Sequence, residues 1–515
     1  MKPIVHPLPD SITVAAAFDS LSQPSQPSRR SRCLLLESSR QLQSERGVPL
    51  GRYSFLMSDP FAWIEIPCSV GNPHVLDPIA QILKQYCLEH LPGLPPFQGG
   101  LAGLLSYDLG RSFEHLPPQG RDHFRLPAIA MGAYDLVLAW DHQLNQAWII
   151  SSGLPETEES ARVGRAKARI DQVLKWLVGS AQPDREQDAA KLEVFEREMI
   201  ERIAKDERFL LDDHGLSSNF SAAGFQQAVQ QVVDLIYQGE CFQVNLAQQL
   251  VVPANCSPEV LYRRLRASSP APFSGYFDTR TSATKPPIGL SNGAGPDAES
   301  QTFQIVSSSP ERLISVRGRR VETRPIKGTR PRSGDPLIDQ VAADELLASE
   351  KDRAENVMIV DLLRNDLSLC CHDDSITVTQ LCELEKYANV MHLVSAVEGE
   401  LKPDVSLTDL IKAVFPGGSV TGAPKYRSMQ IIDELEPDLR GAYCGSLGYL
   451  GFDGSADLSI LIRTITASNG LWQIPVGGGI VSDSNPEAEY VETWDKATGM
   501  LDAIMHRRPL ASPKH

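Results

Sequence analysis

The stretch SAAGFQQAVQQVVDLIYQGECFQVNLAQQLVV, residues 221–252, sets the expectation for the fold of this 515-residue chain. Apolar side chains recur with helical spacing across residues 229–236, which predicts an amphipathic helix. Ser221 is placed to cap the start of that helix, and Gly239 is placed to end it. The run CFQVNLAQQLVV, residues 241–252, then alternates as a strand does. The second half of the chain therefore begins with a helix that leads directly into a long strand.

Outward from this stretch, helices and strands continue in mixed order. Further strands are predicted at residues 303–308, 313–316, 445–452 and 458–466. Further helices are predicted at residues 338–366, 407–413, 424–434 and 487–504. The order shows no regular βαβ alternation, which indicates an α+β fold.

The N-terminal part of the chain has a different pattern. Residues 1–180 mix short apolar runs with many prolines, which predicts strands joined by loops, with one helix at 156–178. A segment dense in charge follows, and we interpret residues 181–220 as a linker that is either a solvated helix or a flexible segment. The predicted organisation is an N-terminal domain, this linker, a second domain at 221–505 and a tail at 506–515.

The composition limits the functional classes. With 42% hydrophobic and 22% charged residues, the chain has the composition of a globular protein. The 65 acidic residues outnumber the 49 basic ones, and the net charge of −16 argues against nonspecific binding to nucleic acid or to an anionic membrane. Nine cysteines without a CxxC pair indicate a reducing compartment and no structural zinc. The N-terminus lacks the pattern of a secretory signal, and no apolar run reaches the ~20 residues of a membrane helix. We therefore expect a cytoplasmic protein.

The run RPIKGTRPR, residues 324–332, holds the first candidate for chemistry. Prolines on both sides of its Lys327 restrict the backbone. A lysine amine has a pKa of ~10.4 in water, so nucleophilic attack near neutral pH requires burial or nearby positive charge. Lys327 is therefore either a nucleophile or part of a solvated basic loop.

Two predicted helices each place two carboxylates three residues apart and therefore on one face. Asp352 and Glu355 form the first pair, and Glu489 and Glu492 form the second. Such pairs suit a hard cation that keeps several waters, as Mg²⁺ does, but acidic pairs are also common on exposed surfaces. From spacing alone, both interpretations stay open.

Glycine-rich segments and one arginine complete the set of candidates. FPGGSVTGAPK, residues 415–425, runs into a helix, and VGGGIVSDS, residues 476–484, follows a strand. Each segment either brings backbone N–H groups close to an anion or forms a tight turn. Arg463 lies in the predicted strand SILIRTIT, where a buried guanidinium requires a carboxylate from the protein or from a substrate.

Eight motifs in order resemble the chorismate-using enzymes, the family of anthranilate, isochorismate and aminodeoxychorismate synthases. Over residues 221–505 they are SSSPERL, ETRPIKGTRPR, KDRAENVMIVDLLRNDL, VMHLVSAVEGEL, FPGGSVTGAPK, RGAYCGSLGYLGFDG, LSILIRT and GGGIVSDSNPEAEYVETWDKA. LLES at 35–38 and APFSGYF at 271–277 resemble the N-terminal domain of the anthranilate and aminodeoxychorismate branch. PIKGT resembles the aminodeoxychorismate synthases, because anthranilate synthases read PIAGT there.

The resemblance implies a fold, a substrate and residue roles. The fold would be α+β, with two antiparallel β-sheets packed face to face and helices outside. The substrate would be chorismate, with Lys327 attacking its ring and Glu311 acting as general acid. His392 and Thr421 align with further active-site positions. The implied cofactor is magnesium, bound directly by Glu355 and Glu492 and through water by Asp352 and Glu489. The implied chorismate contacts are Gly328, Thr329, Tyr443, Arg463, Gly477, Gly478, Gly479 and Lys496.

The resemblance also implies a partner. Enzymes of the aminodeoxychorismate branch convert chorismate and ammonia to 4-amino-4-deoxychorismate for 4-aminobenzoate and folate biosynthesis. We expect the ammonia to come from a glutamine amidotransferase subunit, because these residues contain no recognisable glutamine-hydrolysing motif. No nucleic-acid or membrane partner is expected. The N-terminal domain would retain a tryptophan-like pocket, formed by Ser38, Arg52, Tyr53, Ser54, Pro272, Phe273 and Ser274.

Other interpretations stay open at this point. An anthranilate synthase component I would share most of these residues but would dispense with Lys327. Isochorismate and salicylate synthases use a lysine base elsewhere and usually lack the N-terminal domain. A binding module in which RPIKGTRPR holds phosphate or nucleic acid is disfavoured by the negative charge. A catalytically silent relative is disfavoured because the predicted catalytic and metal-binding residues are all present.

Overall fold

The computed structural model describes residues 1–22, 32–38, 42–43, 49–116, 120–178, 208–212, 215–281, 288–289, 302–386 and 390–505. Most of the predicted linker, residues 181–207, and the predicted tail, residues 506–515, lie outside the described residues. No helix among the described residues is long and apolar enough to cross a membrane.

Helices and strands alternate irregularly along the chain. The helices are α1 Val14–Ser22, α2 Asp77–Gln85, α3 Gly110–Phe113, α4 Glu159–Val178, α5 Ala222–Tyr237, α6 Pro258–Ser268, α7 Pro336–Ala348, α8 Glu350–Ser368, α9 Leu407–Val414, α10 Lys425–Leu435 and α11 Pro486–Met505. The strands of the first half are β1 Ile4–Pro7, β2 Leu34–Glu37, β3 Leu42–Gln43, β4 Pro49–Leu50, β5 Tyr53–Met57, β6 Ala62–Ile66, β7 Gly100–Leu105, β8 Ile129–Tyr134, β9 Leu136–Asp141 and β10 Gln146–Ser151. The remaining strands are β11 Phe209–Leu210, β12 Ser217–Ser218, β13 Gln243–Pro253, β14 Phe273–Asp278, β15 Ile288–Gly289, β16 Phe303–Ser309, β17 Arg312–Arg317, β18 Arg320–Arg324, β19 Ile326–Pro331, β20 Thr377–Lys386, β21 Val390–Glu400, β22 Gly422–Ala423, β23 Ser446–Gly451, β24 Ala456–Ser459, β25 Thr464–Ser468 and β26 Leu471–Ile480.

Both large sheets are built from both halves of the chain. The first runs in the order β1-β10-β9-β5-β2-β14-β16-β25-β26-β13-β12-β11, with β22 added to β13, and β2 joins β14 to connect the halves. The second runs β15-β6-β8-β7-β23-β24-β17-β18-β21-β19, with β20 added to β21, and β7 joins β23. Nearly all of these pairs are antiparallel; β15 and β6 are parallel. The two halves therefore share their sheets and their hydrogen-bonded ladders.

The sheets pack face to face through aromatic side chains. Phe55 of the first sheet meets Tyr449 of the second at 5.7 Å between ring centroids, and Trp63 of the second meets Phe277 of the first at 6.1 Å. All four rings belong to one buried cluster. Edge-to-face and offset ring pairs add to the burial of apolar surface, so this layer stabilises the sandwich. The predicted α+β fold with two stacked antiparallel sheets is confirmed.

The opening helix–strand pair is confirmed in detail. The Ser221 side chain accepts a hydrogen bond from the Gly224 N–H at the start of α5, and Gly239 has a φ of +81° just after its end. A helix N-cap of this kind typically contributes about 1 kcal/mol. The strand that follows is β13, the long strand that supports part of the candidate site.

Three sequence predictions are corrected by the structure. The helix expected at 338–366 is two helices, because Ser349 ends α7 and caps α8. The strand expected at 458–466 is interrupted between β24 and β25, where Arg463 has a φ of +51°. The glycines of VGGGIVSDS lie within β26 rather than in a turn after a strand. In the first two cases a local backbone feature interrupts an apolar pattern that looks continuous, and in the third the pairing with β13 continues the strand through the glycines.

Candidate active site

Lys327 extends from β19 toward the Ser419 loop and the glycines of β26. Its Nζ donates to the Ser419 carbonyl at 3.3 Å, and it lies 3.6 Å from where a Cβ on Gly479 would be. Burial lowers the pKa of the Lys327 ammonium, although the negative charges of Glu355 and Glu311 oppose this effect. Of the two interpretations left open by the sequence, the solvated basic loop is not observed: residues 326–331 form a strand, and Lys327 faces an acidic interior.

The backbone beside Lys327 is shaped by Gly328. The pairing of β19 with β21 shifts register between Lys327 and Thr329, so Gly328 is the extra residue of a bulge. Gly328 has a φ of +77°, and a Cβ there would lie 2.9 Å from Leu346 Cδ1 and 3.0 Å from Asp352 Cβ. Only glycine fits both this backbone conformation and this close contact. The bulge brings the first turn of α8 against the strand that carries the lysine.

His392 lies on β21, the strand that pairs with β19, directly opposite Thr329. Its Nδ1 is 2.8 Å from the Thr329 hydroxyl. Burial and the positive charge of Arg463 lower the pKa of His392 to about 4. The imidazole is therefore neutral at physiological pH, and it is a hydrogen-bonding group there rather than a cation.

Glu311 is the buried carboxyl of the site. It lies two residues after the end of β16, in the turn to β17, and its residue surface is 4% exposed. Burial raises its pKa to about 7 from the usual 4.5, with the positive charge of Lys327 acting in the opposite direction. A carboxyl with a pKa near 7 holds its proton at neutral pH in a substantial fraction of molecules, which is what a general acid needs.

The two predicted acidic pairs lie on α8 and α11. Burial raises the pKa of Glu355 and of Glu489, and each feels the negative charge of a carboxylate on its own or the other helix. Burial also acts on Glu492, but Lys496, whose Nζ is 2.6 Å from Glu492 Oε1, lowers the pKa of Glu492 below its usual value. The two helices therefore bring like charges into one region.

This acidic region suits a magnesium ion. Among the described residues, no three His, Cys, Asp or Glu side chains are spaced to hold a metal together. Magnesium, however, commonly uses one or two carboxylates and keeps several waters. Glu355 and Glu489 have raised pKa values, and the Lys351 ammonium lies 3.8 Å from the Glu489 carboxylate. Glu355 and Glu489 each also lie in the field of another carboxylate, which a divalent cation would offset, so the donor set fits the ion.

The glycines of β26, Gly477–Gly479, lie next to the carboxylates of α11 and are called the glycine wall below. Gly477, Gly478 and Gly479 pair with Ala247, Leu246 and Asn245 of β13. A Cβ on Gly478 would lie 3.3 Å from Glu489 Oε2 and 3.4 Å from Lys496 Nζ, and a Cβ on Gly479 would lie 2.0 Å from Gln243 Nε2. The absence of side chains on these glycines leaves room for the Glu489 carboxylate, the Lys496 ammonium and the Gln243 amide to approach the strand closely.

Three further predicted residues lie close to the glycine wall: Arg463, Tyr443 and Thr421. They differ in how far their side chains are exposed. Arg463 lies in the break between β24 and β25, where its Nη1 donates to the Lys496 carbonyl at 3.0 Å. Tyr443 is 5% exposed, and burial raises its pKa well above the usual value. The Thr421 hydroxyl is buried and donates to the Gly417 carbonyl at 3.0 Å, so it shapes its own loop.

Two residues of this region were not predicted from the sequence. Ser419 supplies the carbonyl that accepts from Lys327, and the Gln243 amide fills the space next to Gly479. Ser419 lies in the motif FPGGSVTGAPK, but a motif does not indicate which carbonyl turns inward. Gln243 lies in a strand whose alternation does not reveal which partner its side chain meets.

A separate cavity lies beside β2, β5 and β14, with a volume of about 360 Å³. Six of the seven residues predicted for a tryptophan-like pocket line it: Ser38, Arg52, Tyr53, Pro272, Phe273 and Ser274. The seventh, Ser54, is fully buried and does not line the cavity; its Oγ is 2.7 Å from His142 Nε2. Arg312, the residue that follows Glu311, also lines the cavity.

Comparisons with known proteins establish the class to which these features belong. A family profile described as chorismate binding enzyme matches residues 32–502, and this chain belongs to that family. The chain is therefore a chorismate-converting enzyme.

Relatives of two kinds are similar to this chain at equal identity. Aminodeoxychorismate synthase component 1 of Salmonella typhimurium is 38% identical over 470 residues, which cover 88% of this chain and 90% of the relative. Anthranilate synthase component 1 of Thermus thermophilus is also 38% identical, over 417 residues, which cover 81% and 80%. The crystal structure of anthranilate synthase component I from Streptococcus pneumoniae matches with a TM-score of 0.70 and 29% identity, over 87% of this chain and 92% of that one.

Replacing Gly479 by alanine tests whether the reaction needs the glycine wall of β26 to be free of side chains. The new Cβ would displace the Gln243 amide and lie 3.6 Å from Lys327 Nζ. We therefore expect chorismate consumption to fall by about 10²-fold, as misplacement of groups in an active site typically does. Gly499→Ala on α11 is the control, because its Cβ would meet nothing closer than 3.6 Å. Steady-state rates and melting temperatures of both variants are compared with the wild type. An unchanged rate in Gly479→Ala would show that the reaction does not use this wall.

Proposed function

We propose that this chain is an aminodeoxychorismate synthase component I, which converts chorismate and ammonia to 4-amino-4-deoxychorismate. The observation that carries the proposal is the position of Lys327. Its side chain is half-buried, is held by the Ser419 carbonyl, and is influenced by the charges of both Glu311 and Glu355. A lysine whose pKa is lowered by burial has a larger neutral fraction, and the neutral amine is the nucleophile.

In the first step the neutral Lys327 amine forms a bond to the chorismate ring while the ring hydroxyl leaves. Glu311 donates its proton to the departing oxygen, which leaves as water. The lysine nitrogen then returns a proton to the Glu311 carboxylate, so the acid is restored and the product is a secondary amine between Lys327 and the ring. The lowered pKa of the lysine and the raised pKa of the glutamic acid both favour the protonation states that this step requires.

In the second step ammonia forms a bond to the ring and the lysine nitrogen leaves. One proton passes from the incoming nitrogen to the lysine nitrogen, so the sum of both steps is chorismate plus ammonia giving 4-amino-4-deoxychorismate plus water. We propose that a glutamine amidotransferase subunit supplies the ammonia. The designation component 1 carried by the relatives implies a second component.

The substrate is a dianion, and the residues of the site fall into two groups that suit its two carboxylates. Arg463, Tyr443, Lys496 and the backbone of Gly477–Gly479 would hold the enolpyruvyl carboxylate. Glu355 and Glu492 would bind magnesium directly, and Asp352 and Glu489 would bind it through water; the ion, when bound, neutralises the ring carboxylate. Gly328 and Thr329 would contact the same end of the substrate, with His392 and Thr421 completing the lining.

Anthranilate synthase component I is the second candidate, because a relative with that activity is equally identical. It would use the same acid and the same carboxylates, and it would release pyruvate from an aromatic product. The presence of Lys327 in PIKGT favours the first candidate, since the PIAGT pattern of anthranilate synthases offers no amine at this position.

Product analysis distinguishes the two candidates. The purified chain is incubated with chorismate, Mg²⁺ and ammonium, and the products are separated by liquid chromatography with mass detection. We expect 4-amino-4-deoxychorismate, which a 4-amino-4-deoxychorismate lyase added afterwards converts to 4-aminobenzoate. Direct accumulation of anthranilate would replace this proposal by the second candidate.

We also propose that the 360 Å³ cavity binds tryptophan or a similar aromatic amino acid. Calorimetric titration with L-tryptophan should give saturable heat in the wild type. Ser274→Phe should lose it, because the added ring would fill the cavity that Ser274 lines. The absence of heat in the wild type would rule out this ligand.

A further inference from the structure

A buried ion pair lies directly behind the candidate site. Arg440 is 1% exposed and Glu436 is 6% exposed. The Arg440 Nη2 lies 2.6 Å from Glu436 Oε1, and Nε lies 2.9 Å from Oε2, so the pair is bidentate. The mechanism proposed above uses neither of these residues.

The same guanidinium holds two backbone segments that line the site. Its Nη1 donates to the Val420 carbonyl at 3.0 Å, and its Nη2 donates to the Asn245 carbonyl at 2.6 Å. Val420 lies directly after Ser419, whose carbonyl accepts from Lys327. One side chain therefore connects the loop that holds the lysine to strand β13.

The carboxylate partner continues this connection along β13. Glu436 Oε1 accepts from the Ala247 N–H at 2.9 Å. Asn245 and Ala247 are the residues that pair with Gly479 and Gly477 on β26. The ion pair thus fixes, from behind, the two strand positions opposite the ends of the glycine wall.

Tyr443 packs against the Arg440 guanidinium. Its ring centroid lies 5.6 Å from the Arg440 guanidinium carbon. The guanidinium carbon also lies 4.8 Å from the ring centroid of Tyr107. A cation in contact with aromatic rings is stabilised and restricted in orientation.

We infer that Arg440, held by Glu436, is a positioning residue for chorismate: it sets the relative placement of the Ser419–Thr421 loop, the glycine wall and Tyr443. The planar guanidinium is required because it can donate to two carbonyls and a carboxylate at fixed angles, which a lysine ammonium cannot do. The inference rests on the proposed site, but it does not depend on which amine the enzyme makes.

The test uses a charge-neutral double variant, E436Q/R440M. Removing one partner of a buried pair leaves an uncompensated charge, whereas removing both charges is often tolerated. The amide introduced by E436Q would retain an oxygen for the Ala247 N–H, and the thioether introduced by R440M would fill volume without donating to Val420 or Asn245. We expect this variant to fold and to show a chorismate KM raised at least ~10-fold, since the substrate-binding elements lose their common anchor.

A matched control is present in the N-terminal half. Arg162 is 2% exposed, donates to the Lys2 and Ser152 carbonyls at 2.8 and 2.9 Å, and pairs with Glu159 on its own helix. The control variant E159Q/R162M therefore removes a similar buried arginine that lies outside the candidate site. We expect it to lower the melting temperature and leave KM unchanged.

The KM for chorismate distinguishes a positioning role of Arg440 from a merely structural one. Loss of folded protein lowers the apparent kcat, but KM is a property of the molecules that remain active. The assay follows chorismate consumption, so a wild-type product other than 4-amino-4-deoxychorismate would overturn the proposed function and leave this comparison intact. If E436Q/R440M does not fold, R440K replaces it, and the same increase in KM is expected. A folded variant with wild-type KM and kcat would overturn the inference.

Discussion

Lys327→Ala is expected to remove nearly all formation of 4-amino-4-deoxychorismate, by about 10³-fold or more, because loss of a covalent nucleophile has effects of this order. The variant retains Glu311, the carboxylates and the glycine wall, and its run reads PIAGT. We therefore expect a low rate of anthranilate formation to become detectable, since the residues that bind chorismate are unchanged. Chromatographic quantification of both products checks this expectation.

Lys402→Ala is the matched control for this substitution. Lys402 Nζ donates to the Ser368 carbonyl at 3.2 Å, as Lys327 Nζ does to the Ser419 carbonyl at 3.3 Å, but it lies outside the candidate site. The control should keep wild-type rates and products. Equal rates of 4-amino-4-deoxychorismate formation in Lys327→Ala and the wild type would exclude the lysine as nucleophile.

Glu311→Gln is expected to lower kcat by about 10²- to 10⁴-fold, because an amide cannot donate the proton that the leaving hydroxyl needs. In the wild type the protonated fraction of Glu311 falls as the pH rises through its pKa of about 7. The rate should therefore decrease on the alkaline side of pH 7, and the residual rate of the variant should lose this decrease. A pH–rate profile between pH 5 and 9, about two pH units on either side of that pKa, measures the decrease in the wild type and its loss in the variant.

The same substitution should change the pH dependence of stability. The pKa of Glu311 is 4.5 in an ordinary setting and about 7 in the folded protein, so the folded state favours the protonated form. The contribution to stability is complete below pH 4.5 and is lost as the pH rises through 7. At about 1.4 kcal/mol per pKa unit, this loss amounts to about 3 kcal/mol.

Glu311→Gln removes the ionisable group, so the free energy of unfolding of the variant relative to the wild type should rise by about 3 kcal/mol from acidic to alkaline pH. Urea titrations at both ends of this range give the values, and Glu345→Gln, on the exposed surface of α7, is the control. Parallel pH profiles for Glu311→Gln and the wild type would show that the carboxyl is not held in its neutral form.

Much of the fold was predictable because local signals agreed with each other. The helix from Ala222 to Tyr237 has its capping serine, its apolar face and its terminal glycine all in sequence order. The acidic pairs at 352/355 and 489/492 were correctly placed on helices, because their spacing and their surroundings are both helical. Such features depend on neighbours along the chain, which a sequence displays directly.

The places where a strand breaks or continues were not predictable, because they depend on tertiary contacts. Arg463 was expected within a strand, but its backbone turns into the left-handed region and its side chain donates to Lys496 of α11. Gly477–Gly479 were expected after a strand, but they continue it because β13 pairs with them along their whole length. A run of glycines does not reveal the partner strand that keeps it extended.

The candidate site was predicted from motifs, and the structure brings those motifs together across long stretches of chain. Glu311, Glu355 and Glu492 each act electrostatically on Lys327, as a shared site requires. The groups that position them were not predictable: the Ser419 carbonyl, the Gln243 amide and the Arg440–Glu436 pair have no motif that distinguishes them from ordinary core residues. Their importance arises from which backbone atoms they contact.

The central claim is that the Lys327 amine becomes bonded to the chorismate ring. The most direct measurement is mass spectrometry of wild-type enzyme incubated with chorismate and Mg²⁺ in the absence of ammonia, quenched in acid and digested. We predict that the peptide containing Lys327 gains the mass of chorismate less one water, and that added ammonium removes the adduct. An enzyme that forms 4-amino-4-deoxychorismate while no such peptide appears, or while the adduct lies on another residue, would contradict the claim.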